Sequence, residues 1–178
     1  MQENFPEVPL IFDNICELHT GRALTILNGD ESDVPDVDLF VAGFVCKSVS
    51  TENTQRQEYG LCIDECTGKT GETFHGVVEY TRRFRLKLVI CENVTGLLKR
   101  NRGCEPQILS VRMAFEGLGY SFAYTQLDAR NFLLPQRRTR IWMWAIRSDV
   151  AAAPAAGEVL KVLLQLERPT WSLTLPRA

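Results

Sequence analysis

The sequence predicts an α/β fold in which the strands of an open sheet alternate with helices. Two apolar segments, 37–43 and 87–94, have the composition of strands and show no alternation of apolar and polar residues. A segment with helical spacing follows each of them, and two further strand-like segments, 121–129 and 140–148, come last. Strands without alternation are typical of sheets covered on both faces, so we expect a mainly parallel sheet between helical layers.

The first strand ends at Gly43 and leads into a polar segment. Residues 47–71 are rich in Thr, Ser, Gln and Gly and are predicted to form a long irregular loop. Loops of this length in a compact domain are commonly active-site lids or disordered. A helix is expected over 72–84, because Phe74 and Val77 begin a series of apolar residues with near-helical spacing.

A second helix is predicted over 106–120. It begins with Pro106 and closes on Gly117 and Gly119, which are common start and stop signals. The region 150–178 changes to an Ala-, Pro- and Leu-rich composition and carries no motif, although a short helix is expected over 158–167. We therefore predict one patterned domain over 1–149, followed by a tail.

The composition is that of an ordinary globular protein, with 178 residues, 45% hydrophobic and 24% charged. No apolar run approaches the roughly 18 residues of a membrane span, and the N-terminus lacks the pattern of a secretory signal. The six cysteines are irregularly spaced, which favours reduced thiols in the cytosol or nucleus over a disulfide framework.

Charge is distributed unevenly along the chain, although the net charge is only -2. Residues 1–40 hold nine acidic residues and one basic residue, whereas 79–147 hold thirteen Lys or Arg and five Asp or Glu. The second half is therefore predicted to present a basic face able to meet phosphate. A solvated basic surface without a ligand is the alternative.

Two residue types that carry chemistry follow the two apolar strands. Cys46 comes three residues after Gly43, and Glu92 stands at the end of the segment 87–94. The carboxyl ends of parallel strands meet at one rim, where open α/β sheets form their binding crevice. Cys46 alone would more often be a packed core thiol than a nucleophile.

Three segments occur in order along the chain: "GFVCKSVS" at 43–50, "ENVTGLL" at 92–98 and "LDARNFLLPQRRTRIWMWAI" at 127–146. Together they resemble the cytosine-5 methyltransferases, which transfer a methyl group from S-adenosylmethionine to carbon 5 of cytosine. That family has Pro-Cys-Gln after one strand, Glu-Asn-Val after the next, and Gln-Arg-Arg-x-Arg before an antiparallel strand. The resemblance covers residues from about 10 to 149 and implies a Rossmann-like S-adenosylmethionine-dependent methyltransferase sheet.

The resemblance implies a role for each matched residue. Cys46 would be the nucleophile that adds to carbon 6 of a cytosine flipped out of DNA. Glu92 would hydrogen-bond the ring N3 and the amino group, and Asn93 would brace the loop. Arg138 and Arg140 would position the nucleotide and its phosphate.

The resemblance also implies cofactor and substrate contacts. Asn14, Ile15 and Val45 are the expected S-adenosylmethionine-binding residues, with Asn14 standing where the family has an aspartate that meets the adenine amine. The further substrate-binding candidates are Ser50, Gln136 and Arg137. Neither a metal nor a membrane is expected as a partner.

Several positions depart from the family pattern. The chain shows no Phe-x-Gly-x-Gly cofactor turn, and no target-recognition region follows residue 150, so a fragment of a longer enzyme is expected. Val45 replaces the proline and Lys47 the glutamine of the nucleophile motif. Thr70 and Thr73 stand where an arginine and a leucine are expected.

Alternatives remain at the level of function. The departures favour, as a second hypothesis, a catalytically inactive methyltransferase-like protein that binds nucleic acid, and RNA is a possible substrate in place of DNA. A zinc site at Cys62, Cys66, His75 and Cys104 matches no common spacing. A phosphate-binding loop at 67–71 lacks its first glycine. Localisation follows the substrate, in the nucleus of a eukaryote or otherwise in the cytoplasm.

Overall fold

The computed structural model describes residues 8, 10–26, 29–50, 61–100 and 104–150. Its strands and helices, in chain order, are β1 (Arg22–Leu24), β2 (Glu31–Asp33), β3 (Leu39–Gly43), α1 (Gly68–Phe84), β4 (Leu88–Val94), α2 (Ile108–Gly117), β5 (Tyr120–Asp128) and β6 (Thr139–Arg147). Three 3-10 helices cover Ile15–Thr20, Thr95–Leu98 and Ala129–Phe132. The helix predicted over 158–167 lies outside the described residues.

Four strands form a mixed sheet in the order β3-β4-β6-β5. β3 and β4 run parallel, joined through α1, whereas β6 runs antiparallel to both β4 and β5. The α/β class is confirmed. The expectation of a mainly parallel sheet is wrong for this sheet, because β5 and β6 pair as the two arms of a hairpin, which makes two of its three pairings antiparallel.

Both long helices pack on one face of the sheet. Phe74 of α1 meets Phe115 of α2 with ring centroids 6.0 Å apart, and Phe115 stacks on Phe122 of β5 at 6.0 Å. On the opposite face of β3, Leu39 is 50% and Val41 58% exposed. The expectation of strands covered on both faces is therefore wrong for β3, where apolar residues point into solvent.

Helix α1 buries residues at the spacing of one amphipathic stripe, which include Phe74, Val77, Val78 and Thr81. It begins at Gly68, four residues before the predicted start and inside the segment predicted as a loop. Thr67 takes the N-cap position without a side-chain hydrogen bond, so the usual start signal is absent.

A small substructure precedes the sheet. β1 and β2 form an antiparallel pair, which the sequence analysis did not predict. The 3-10 helix Ile15–Thr20 packs against α1. A side chain at Gly76 would bring its Cβ to 3.1 Å from the Cys16 nitrogen, so the backbone of the 3-10 helix would have to shift slightly to admit one. None of the helices described here is long and apolar enough to cross a membrane.

Candidate active site

The parallel pairing of β3 and β4 brings the two chemical segments to one rim. Gly43, at the end of β3, is the register partner of Glu92 in β4. The chain beyond Gly43 then closes one side of a cleft of about 370 Å³, which we call the Cys46 cleft. Its lining is Gly43, Phe44, Val45, Cys46, Lys47, Glu92, Asn93, Val94, Arg138 and Arg140. Residues from all three motif segments thus line one space.

Cys46 sits at the start of a tight turn. Its carbonyl oxygen accepts hydrogen bonds from the Val49 N–H at 3.1 Å and the Ser50 N–H at 2.8 Å. The residue is half-buried and partly packed against the core. It is more exposed than Cys62 and Cys91, which are buried. Burial raises the thiol pKa of Cys62 to about 11 and that of Cys91 to about 12, so these two stay protonated at neutral pH.

Two residues of the segment 92–98, one at the end of β4 and one in the following 3-10 helix, contact the Cys46 turn from one side. The buried Asn93 donates from Nδ2 to the Phe44 carbonyl oxygen at 2.9 Å, and its Oδ1 accepts the Val94 N–H at 2.8 Å. Gly96 lies against the Val49 backbone, where a Cβ would overlap the carbonyl oxygen and lie 2.9 Å from the carbonyl carbon. Asn93 therefore sits where the resemblance placed a bracing residue.

Two hydroxyls of α1 hold the turn from the other side. Thr70 Oγ1 accepts the Ser48 N–H at 3.0 Å, and Thr73 Oγ1 accepts the Val45 N–H at 3.2 Å. The sequence marked both threonines only as departures from a family pattern. Their pairing with this turn carries no sequence signal beyond a spacing of three residues, which places them on one helix face.

Glu92 and Arg140 form an ion pair on the sheet face that lies opposite the helices. Arg140 Nε lies 3.0 Å from Glu92 Oε1, with both side chains about 30% exposed. A guanidinium NH₂ of Arg140 also donates to the Thr139 carbonyl oxygen at 2.9 Å. A Cβ at Gly43 would lie 3.7 Å from Glu92 Oε2, so the second carboxylate oxygen faces the chain that leads to Cys46.

A second space, the hairpin cleft, adjoins the Cys46 cleft. It has a volume of about 680 Å³ and lies under the loop between β5 and β6. It shares Glu92, Arg138 and Arg140 with the Cys46 cleft and adds Leu127, Asp128, Ala129, Phe132, Leu134, Gln136 and Trp142. The substrate candidate Gln136 thus lies beside the Cys46 cleft, on a largely apolar wall.

Unpaired positive charge lies beside these clefts, because Arg138 lines both of them and Arg137 precedes it in the chain. Arg137 and Arg138 are exposed and form no ion pair within the described ranges, whereas Arg130 and Arg140 each pair with an acid. One such pair anchors the hairpin loop, because Asp128 accepts hydrogen bonds from the Arg130 backbone and guanidinium and from Thr139. These bonds hold the pKa of the Asp128 carboxyl well below its usual range.

A third space, the Ile15 cleft, lies at the edge of β3. It measures about 260 Å³ and is lined by Ile15, Phe40, Val41, Ala42, Gly43, Phe44, Val45, Thr73 and Val77. Two predicted cofactor residues, Ile15 and Val45, therefore share one apolar slot. Asn14 does not line it, because its Oδ1 accepts the Cys16 N–H at 3.0 Å and caps the 3-10 helix.

The remaining candidates lie outside these spaces. Ser50 contributes its backbone N–H to the Cys46 turn, and the exposed Arg137 lines neither cleft. Cys62, weighed as a zinc ligand, donates its thiol to Gln107 Oε1 at 3.0 Å. No group of three possible metal ligands converges within the part of the chain that the structure describes.

The family profile and the similar proteins that we compared with this chain all point to one protein family. The sequence profile of C-5 cytosine-specific DNA methylases matches residues 13–170. The chain is 30% identical over 173 residues to DNA (cytosine-5-)-methyltransferase DMT5 of Cryptococcus neoformans, covering 97% of this chain and 7% of that protein. It is 27% identical over 181 residues to Type II methyltransferase M.NgoBV of Neisseria gonorrhoeae, covering 97% of this chain and 38% of that one.

The fold comparison agrees with the sequence comparison. A DNMT2 structure from Spodoptera frugiperda superimposes with a TM-score of 0.54 at 16% identity, over 84% of this chain and 39% of that one. The chain thus spans well under half the length of these relatives. With the matched profile and the three motif segments gathered at one rim of the sheet, the chain belongs to the C-5 cytosine-specific DNA methylase family.

Proposed function

We propose that this chain supplies the nucleophile and base-binding part of a DNA (cytosine-5-)-methyltransferase, as one portion of a longer enzyme. The observation that carries the proposal is the convergence of Cys46, Glu92 and Arg140 in one cleft. A core cysteine would need neither an ion-paired carboxylate beside it nor anchored backbone on both sides.

The proposed chemistry begins at Cys46. Its thiolate adds to carbon 6 of cytosine, and the electron pair of the 5,6 double bond moves toward carbon 5 and the ring N3. Glu92 hydrogen-bonds the N3 side of the ring and supplies a proton there as charge builds. After carbon 5 accepts the methyl group, its proton passes to water, and the electron pair of that C–H bond re-forms the double bond and expels Sγ as thiolate. The ring N3 then returns its proton to Glu92.

Arg140 acts in this scheme by orienting Glu92. It holds Oε1 through Nε and leaves Oε2 on the side that leads to Cys46. Arg138 lines both clefts and Arg137 precedes it in the chain, so we propose that these two exposed side chains meet the phosphates beside a flipped nucleotide. A DNA strand is therefore the substrate that we propose, with its flipped base in the Cys46 cleft.

S-adenosylmethionine, when bound, supplies the methyl group. The Ile15 cleft fits the adenine ring of that molecule, because Ile15 and Val45 offer apolar walls beside the chain leading to Cys46. Its lining contains no carboxylate for the ribose hydroxyls. We propose that Ile15 and Val45 flank the ring and that contacts to the ribose come from elsewhere in the enzyme.

The test is covalent trapping on a denaturing gel. The chain is mixed with S-adenosylmethionine and a pool of duplexes containing 5-fluorocytosine, in which the fluorine on carbon 5 prevents release of the adduct. A shifted band is expected for the parent chain and for Cys66→Ser, which removes an exposed cysteine outside the Cys46 cleft. Cys46→Ser should give no band. A band that survives in Cys46→Ser would refute the assignment, and a parallel arm with 5-fluorocytosine RNA distinguishes the two substrates.

A second function is favoured by Val45 and Lys47, which replace the proline and glutamine of the family motif. We propose, as this alternative, a methyltransferase-like protein that binds nucleic acid without reacting. It predicts DNA binding that weakens with salt, through Arg137 and Arg138, with no trapped band. A Cys46-dependent band excludes it.

A further inference from the structure

We propose that Thr73 is a positioning residue that holds the Cys46 turn in place of a proline ring. The sequence places Val45 where the resembling family has proline, so the residue before Cys46 gains both a rotatable φ and an N–H. The structure shows what that N–H does, since it donates to Thr73 Oγ1 at 3.2 Å. The consequence for catalysis rests on the proposed function, whereas the consequence for the turn does not.

The hydrogen-bond pattern of Thr73 fits this role. Its hydroxyl hydrogen goes to the Lys69 carbonyl oxygen at 2.7 Å, one turn earlier in α1. That bond fixes the hydroxyl and leaves an oxygen lone pair facing the Val45 N–H. Thr73 is therefore a fixed acceptor on a rigid helix, and Val45 supplies the donor that a proline would lack.

Thr70 makes the matching bond on the other side of Cys46. It is fully buried, and its Oγ1 accepts the Ser48 N–H at 3.0 Å. Two hydroxyls one helical turn apart thus accept hydrogen bonds from the backbone on both sides of Cys46, at Val45 and at Ser48. The turn is consequently attached to α1 as well as to β4, where Asn93 holds the Phe44 carbonyl.

The expected effect of losing the Thr73 hydroxyl is a looser turn. One ordinary hydrogen bond corresponds to roughly a fivefold change in the opening equilibrium. Because Cys46 is half-buried, opening exposes its thiol. Alkylation of Cys46 by iodoacetamide, followed by peptide mass spectrometry, reads this opening without DNA or a methyl donor, and the exposed Cys66 is an internal control for reagent activity.

The decisive test is a cycle of variants at positions 45 and 73. Thr73→Val should raise the Cys46 alkylation rate about fivefold, while Thr73→Ser, which keeps the hydroxyl, should leave it within twofold of the parent. In a Val45→Pro background the N–H is gone, so adding Thr73→Val should change the rate less than twofold. Equal effects of Thr73→Val in both backgrounds would overturn the proposal, because the threonine would then act only through packing.

A measurement on the unmodified chain covers the case in which a variant does not fold. The Val45 amide should exchange its hydrogen slowly, as a bonded amide does, and exchange at the rate of an unstructured peptide would overturn the proposal. If trapping succeeds, Thr73→Val should also slow adduct formation at saturating duplex, and Thr73→Ser, which keeps the hydroxyl, should not. If trapping fails while the alkylation cycle behaves as expected, the proposed function is wrong and the role of Thr73 in the turn stands.

Discussion

Arg140 reaches two partners in directions that a lysine cannot match. Its Nε lies 3.0 Å from Glu92 Oε1, and a guanidinium NH₂ donates to the Thr139 carbonyl oxygen at 2.9 Å. Lysine offers one compact charge on a flexible stem and would satisfy one direction at a time. The orientation of Glu92 therefore depends on the identity of the cation as well as on its charge.

We predict that Arg140→Lys slows adduct formation at least tenfold, about the effect of losing one bond to a charged group. The rate of band appearance on the trapping gel measures this. The matched control is Arg112→Lys, which alters a guanidinium paired with Glu116 on α2, remote from the clefts. An equal loss in both variants would contradict a specific role for Arg140.

Asp128 gives the hairpin loop a dependence on pH. Its folded pKa is depressed by hydrogen bonds from Arg130 and then Thr139, so its contribution to stability is present above the unfolded pKa of about 4 and is lost as the pH falls toward the folded value. Thermal unfolding followed from pH 7 to pH 3 should show a decreasing Tm.

Asp128→Asn isolates the charge, because asparagine keeps an oxygen able to cap the 3-10 helix Ala129–Phe132. We predict a lower Tm than the parent at pH 7 and a smaller decrease in Tm toward pH 3. A variant whose Tm follows the parent's at every pH would show that the carboxylate does not stabilise the loop.

The sequence predicted that Cys46, Glu92 and Arg140 belong to one site because each lies in a short recognisable segment, and the three line one cleft. It could not identify Thr73 as a partner of Val45, since the two are 28 residues apart and their contact depends on how α1 docks beside β3. Gly96 was missed for a related reason. Position 96 has no room for a side chain, and this is visible only in the structure, where the Val49 backbone packs against it.

At the scale of elements, the Cys46 turn and the 3-10 helix Thr95–Leu98 pack as two backbones in direct contact. We predict that Gly96→Ala destabilises the chain by roughly 1–3 kcal/mol, the usual range for overpacking, and raises alkylation of Cys46. Gly117→Ala at the end of α2 is the control, because its Cβ would meet no atom within 4 Å. Chemical denaturation measures both, and a neutral Gly96→Ala would argue against tight contact.

The starts and ends of elements were the least predictable features. α1 begins at Gly68 because its first turn packs under the Cys62 and Cys66 backbone, where a Cβ on Gly71 would lie 2.8 Å from the Cys66 carbonyl carbon. That first turn contains glycines and threonine, which are poor helix formers, so tertiary contacts override propensity there. The buried stripe from Phe74 onward was predictable, because it repeats at helical spacing.

At the scale of the whole molecule, the sequence predicted the class of fold better than the direction of its strands. Apolar segments without alternation implied a parallel sheet, yet β6 is antiparallel although Met143, Trp144, Ala145 and Ile146 form a continuous buried run. The apolar composition of a strand indicates that it is buried, whereas the length of the connection to the preceding strand decides whether the two run parallel or antiparallel. The ten residues between Asp128 and Thr139 are too few for a helical crossover, so β5 and β6 can pair only as an antiparallel hairpin.

The open side of β3 has a consequence for how the chain behaves in solution. Among the described residues, β3 is the last strand of its sheet on that side, and Leu39 and Val41 on it are at least half exposed. Such an edge offers unpaired backbone groups and apolar side chains to a second copy, and natural edges are often protected by lysine.

We predict concentration-dependent self-association of the isolated chain, reduced by Leu39→Lys, with Leu109→Lys on α2 as the control at another exposed leucine. Sedimentation velocity over a hundredfold range of protein concentration measures it, and equal sedimentation of all three proteins would contradict the prediction. Pairing of copies through β3 would also narrow access to the Ile15 cleft, to which Val41 contributes. Protein concentration would then set how much of the chain can react in any assay.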